Sequence, residues 1–149
     1  MPGDGWRYLN EQMERLYQDR EFTVESIFGA RLSKMIACYD ADKDAGNPIV
    51  FYAQFSNDSG WHKFFLDLSA AFWDLFPADD VIDEFQDDGY RFDVILEDMT
   101  NQIVVDAFAF VPDGTECAGI DIVFSDGCRF VIRCVHDDTG HHTEAKQIR

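Results

Sequence analysis

Gly60 to Phe76, GWHKFFLDLSAAFWDLF, is the stretch that most constrains the fold. Trp61, Phe64, Phe65, Leu68, Phe72 and Leu75 fall at spacings of three and four and form one wide stripe, while Leu66 and Trp73 add a second. Only Lys63, Asp67 and Asp74 are clearly charged. The spacing predicts a long helix, capped by Asp58 or Ser59 and stopped by Pro77, with apolar surface on more than one side. Such a helix is buried deeply or forms part of an interface.

Acidic chain follows immediately. Asp79 to Asp98 holds Asp79, Asp80, Asp83, Glu84, Asp87, Asp88, Asp93, Glu97 and Asp98 against a single cation, Arg91. Between Asn57 and Asp98 twelve acids face two Lys or Arg. The full chain of 149 residues has a net charge of −17. Self-repulsion on that scale must be outweighed by burial, and the 46% hydrophobic residues, fourteen Phe among them, supply a core. The charge excludes nucleic acid and anionic membrane as partners, because phosphates are repelled, and favours a basic protein.

The remaining pattern predicts an α+β single domain over residues 1–149. A helix runs from Asp4 to about Arg20 on Trp6, Leu9, Met13, Leu16 and Tyr17; Glu21 to Gly29 fits neither period. Strands are expected at Leu32–Tyr39 and Ile49–Phe55, and a short acidic helical turn around Val81, Ile82 and Phe85. Four strands then form a C-terminal meander: one from Tyr90 to Glu97, Ile103–Val111, Ile120–Phe124 and Phe130–Cys134. The sum is an antiparallel sheet of about six strands with helices packed on one face, and a frayed polar tail over residues 137–149. For the turn Ser125-Asp126-Gly127, a three-residue loop with Gly127 left-handed pairs Phe124 with Cys128, Ile122 with Phe130 and Ile120 with Ile132. A two-residue loop would put the apolar sets on opposite faces. The three-residue register also sets Asp121 diagonal to Arg129 and Arg133.

Chemistry-bearing motifs are scarce. Asp40-Ala41-Asp42-Lys43-Asp44 opens like a calcium loop, but positions six and twelve are Ala45 and Phe51 instead of Gly and Glu. His136, Asp137, Asp138, His141 and His142 could gather a metal only if something held them rigid. No nucleophile motif and no phosphate loop is present, so neither a catalytic residue nor a cofactor is expected. Cys38, Cys117, Cys128 and Cys134 form no CxxC pair and read as free thiols, and no leader or spanning run is seen, which together predict a cytoplasmic protein.

These readings converge on an acidic binding protein rather than an enzyme. Asp79, Asp80, Asp83, Glu84, Asp87 and Asp88 would form the charged docking surface, with Trp73, Phe85 and Tyr90 as aromatic anchors. A bacterial immunity protein that neutralises a toxin such as a nuclease fits, since its carboxylates would meet the cations that normally hold phosphate. The alternatives are a small metal-dependent enzyme or metal-binding protein using the carboxylates with His136, His141 and His142, and a subunit whose aromatic helix is an oligomer seam.

Overall fold

The computed structural model describes residues 14–40, 48–57, 60–67, 70–76, 90–112, 117–137 and 140–149. Among them the chain is built of strands, and no helix reaches seven residues. This overturns the expected α+β class with helices on one face.

The eleven strands described are β1 (Glu14–Asp19), β2 (Phe22–Thr23), β3 (Leu32–Asp40), β4 (Pro48–Phe55), β5 (Trp61–Asp67), β6 (Ala70–Phe76), β7 (Tyr90–Ile95), β8 (Val104–Phe110), β9 (Gly119–Phe124), β10 (Arg129–Asp137) and β11 (Gly140–Ile148). They make two antiparallel sheets. Sheet A has the order β1-β6-β5-β4-β3-β7 and sheet B the order β11-β10-β9-β8-β2.

The expected long helix is the β5–β6 hairpin. Phe64 pairs with Trp73, Phe65 with Phe72 and Asp67 with Ala70. When apolar residues fall at odd and even positions alike, a strand buried on both faces fits as well as a period of 3.6, and aromatic side chains suit a pleated surface. The hairpin then buries both faces. His62, Phe64 and Trp73 point between the sheets, while Trp61, Lys63, Phe65 and Phe72 lie on the outer face of sheet A. The described part of the expected N-terminal helix, from Glu14, is likewise a strand, paired with β6 through a bulge between Arg15 and Tyr17. The expected tail is β11, paired with β10 without a break from Asp137–Gly140 to Arg129–Ile148. An edge strand polar on both faces gives no alternation to read, so its sequence carries no strand signal. The turn expected around Val81, Ile82 and Phe85 lies outside the described residues.

Other expectations hold. β3 and β4 flank the 41–47 connection as strands, and β8 lies inside sheet B between β9 and β2. The β9–β10 hairpin takes the three-residue register: Ile122 pairs with Phe130, Ile120 with Ile132, and the Phe124 N–H donates to the Cys128 carbonyl at 2.9 Å. Gly127 has φ +89°, the left-handed conformation that the turn requires. β7 departs from the expected meander, since it is an edge of sheet A paired with β3.

The chain passes from sheet A to sheet B between β1 and β2, at Arg20 and Glu21, and changes sheet twice more at short 3-10 turns. Glu25–Ile27 leads from β2 to β3, and Glu97–Met99 leads from β7 to β8. Ile27 and Met99 are buried, and the turns are tied by hydrogen bonds between Leu32 and Asn101 and between Ala30 and Val104. One core fills the space between the sheets. Met35, Phe51, Phe55 and Phe64 of sheet A meet Ile120, Ile122, Phe124 and Ile132 of sheet B, and the Phe51 and Phe130 rings cross edge-on at 5.5 Å.

Candidate partner-binding surface

The anchors proposed from sequence separate in space. Tyr90 begins β7 with 42% of its surface exposed. Trp73 is 3% exposed, inside the core, where its indole N–H donates to Nδ1 of His62 at 2.9 Å. The imidazole therefore carries its hydrogen on Nε2. His62 stacks on Trp73 and Phe64 at 5.9 and 6.4 Å, and Phe55 meets it edge-on at 5.2 Å. A ring held in this way is a structural element, and Trp73 offers no surface to a partner. Asp79, Asp80, Asp83, Glu84, Phe85, Asp87 and Asp88 lie outside the described residues, in the connection from β6 to β7. Those two strands stand at the second and last places of sheet A. Among the described acids outside that connection, Asp19, Glu21, Glu25, Asp67, Glu97, Asp98 and Asp126 are exposed.

Several of the described cations are drawn into internal contacts. Arg91 reaches Asp93 at 3.1 Å and lies 4.3 Å from the Tyr39 ring centroid. Lys63 sits over Tyr52 and Phe65 at 5.8 and 5.5 Å, across the hairpin from the buried Asp74. Arg149 pairs with Asp98, which also accepts from the Gln147 amide. The Gln147 hydrogen bond holds the Asp98 carboxyl below the usual carboxylate range; desolvation is the next-largest effect and opposes it, and the Arg149 charge adds to the lowering.

On the outer face of sheet B, Asp121 is 1% exposed, beside Phe108 and Val131 on the neighbouring strands. Both Nε, at 3.1 Å, and Nη2 of Arg129 hold its carboxylate, as the sequence register predicts. The Asp121 hydrogen bonds raise the Arg129 guanidinium above its ordinary value. Burial lowers that of Arg133, which lies 4.3 Å from the Phe110 ring centroid.

A cleft of about 540 Å³ opens between the layers. The buried rings of Phe51 and Phe130 lie at its base, Tyr39, Pro48, Ile95 and Leu96 form one wall, and Glu144 to Gln147 of β11 form the other. Leu96 has φ +56°, a left-handed conformation that costs a non-glycine residue about 1–2 kcal/mol, and such strain gathers at binding sites. Reading the last residues as a tail hid this wall from sequence analysis.

Of the residues in the metal reading, His136 and His141 pair directly across the β10–β11 ladder. His136 and His142 occupy consecutive rungs of the β10–β11 ladder, on opposite faces, and Nε2 of His142 lies 3.1 Å from the Glu144 carboxylate. Among the described residues no three His, Cys, Asp or Glu side chains converge on a metal-sized centre. No disulfide joins the four cysteines, and burial followed by the Asp126 carboxylate pushes the Cys128 thiol up, away from reactivity. No helix among the described residues is long and apolar enough to cross a membrane. Comparison with family models, with curated proteins and with solved structures returns no match.

Proposed function

We propose that this chain is an acidic binding protein that docks on a basic partner and inhibits it, as a bacterial immunity protein does with a toxin such as a nuclease. The observation that carries the reading is the charge of −17, with twelve acids against two Lys or Arg between Asn57 and Asp98. Arg91, Arg129 and Arg149 are engaged with Asp93, Asp121 and Asp98, so internal pairing uses up cations and leaves the acidic surplus for a partner. Carboxylates set opposite the cations of a nucleic-acid enzyme block the groups that hold phosphate, and long-range attraction speeds the encounter.

Trp73 has no part in this reading, which rests on Asp79, Asp80, Asp83, Glu84, Asp87 and Asp88 with Phe85 and Tyr90. The test is the association rate with a basic nuclease isolated on the immobilised chain, measured from low to high salt. Exposed charges are screened beyond about 8 Å at physiological ionic strength, so the rate is expected to fall by tenfold or more. Converting the six carboxylates to amides should remove most of that dependence. A rate indifferent to both salt and amidation would end the docking proposal.

A further inference from the structure

β11 is the edge of sheet B, and what it turns outward follows from its neighbours. The Phe124 N–H donates to the Cys128 carbonyl, and the Cys134 N–H donates to that of Ala118. The even-numbered residues of β10 therefore direct their main-chain groups to β9. Alternation along an antiparallel strand leaves the odd-numbered ones, Arg129, Val131, Arg133 and Val135, for β11. The register sets these against Ile148, Lys146, Glu144 and His142. The main-chain N–H and C=O groups of Thr143, Ala145 and Gln147 consequently face away from sheet B. Ala145 and Gln147 also line the interlayer cleft.

We propose that this cleft is a strand-addition site. An extended segment of a basic partner protein would pair through its main chain with Ala145 and Gln147 and set one large apolar side chain against Phe51 and Phe130.

Three observations favour a peptide over a small molecule. Residues two apart on a strand present a donor and an acceptor about every 6.6–6.8 Å, the repeat of another extended chain. The volume of about 540 Å³ accommodates a large side chain and its flanking backbone. β11 is also an unusual edge. β2, at the other side of sheet B, has two residues, β1 carries a bulge and β7 is regular over six pairs, whereas β11 runs for nine regular pairs without proline. Exposed edges are normally kept short or irregular to prevent pairing. Charge selects the occupant: the net charge of −17 favours a segment that carries Lys or Arg, while the side chains of Glu144 and Lys146, paired with Arg133 and Val131, lie on the outer face of sheet B and leave the cleft to Ala145 and Gln147.

The basic-partner reading supplies the charge of the occupant, while the pairing itself stands on the register. The probe is the blocked peptide Ac-Lys-Thr-Phe-Thr-Lys-NH2, titrated into the full chain with amide exchange followed by NMR. The Ala145 and Gln147 amides should exchange at least tenfold more slowly in the complex. N-methylation of the peptide amides that face β11 should weaken binding tenfold or more, as should serine in place of its phenylalanine. Ala145→Pro, which removes one donor at an edge where proline is tolerated, should do the same while leaving salt-dependent binding of polylysine unchanged. If that variant fails to fold, the N-methylated peptide decides the matter on the unaltered protein. Strand addition is overturned if the N-methylated peptide binds like its parent, or if phenylalaninamide alone gives the full response. Should an all-threonine version carrying the same phenylalanine bind equally, the basic-partner element fails and strand addition stands.

Discussion

The Asp121–Arg129 pair gives a sharp test of how sheet B holds its charges, because its two members are unequally buried. The Asp121 side chain is 1% exposed and that of Arg129 is 42% exposed. Arg129→Met leaves a carboxylate buried beside Phe108 and Val131 without its guanidinium. Breaking a fully buried pair in this way costs about 3–5 kcal/mol, and the exposed flank of Arg129 admits water, so about 2–3 kcal/mol is expected. With a urea slope of about 1.5–2 kcal/mol/M for a chain of this size, the midpoint should fall by roughly 1–2 M. Asp121→Val removes the buried charge and leaves an arginine that already reaches solvent, so its stability should stay within about 1 kcal/mol of the parent. The double variant should resemble Asp121→Val, giving a coupling of about 2 kcal/mol in the thermodynamic cycle. Equilibrium urea unfolding followed by fluorescence supplies all four corners. If Asp121→Val costs more than Arg129→Met, the account of a desolvated acid rescued by a half-exposed base is wrong.

Three further outcomes are expected. Trp73→Phe deprives His62 Nδ1 of its donor in the core and should cost about 1–3 kcal/mol by urea unfolding, with His62→Phe in the same background recovering part of it. Gly127→Ala meets no neighbour within 4 Å, so its loss of about 1 kcal/mol should come from the left-handed φ alone; Gly119→Ala, whose new methyl would lie 3.1 Å from the Ile132 carbonyl, should cost more. The depressed Asp98 carboxyl gives stability that is complete above the ordinary carboxylate range and lost as pH falls through its folded value, so Asp98→Asn should flatten acid unfolding in that window alone.

Sequence reasoning succeeded where periodicity was unambiguous and failed where composition erased it. Ile120, Ile122 and Phe124 against Phe130, Ile132 and Cys134 allow one register that keeps all six on one face, and the structure has it. Over residues 60–76 eleven of seventeen side chains are apolar and fall at odd and even positions alike, and Leu68-Ser69, between Asp67 and Ala70, includes no glycine, asparagine or proline to mark a reversal. A helix and a doubly buried hairpin are then indistinguishable by pattern, and only the facing sheet decides. The same cause misplaced Trp73, since a residue assigned to a helix flank proves to be on the inward side of β6. β11 failed for the opposite reason, having too little apolar content to show any period. The cleft could not be read at all, because its lining comes from β3, β4, β7, β10 and β11 and exists only once both layers meet.

The crossings at Glu25–Ile27 and Glu97–Met99 also bear on the protein's synthesis. Sheet A is translated nearly complete by residue 95, while its covering strands, apart from the two residues of β2, come only after residue 103. Until then Met35, Phe51, Phe55 and Phe64 face solvent on a nascent chain. Elongation at about 5–20 residues per second makes that exposure last seconds, and chains terminated near residue 100 should aggregate or be held by a chaperone rather than remain free.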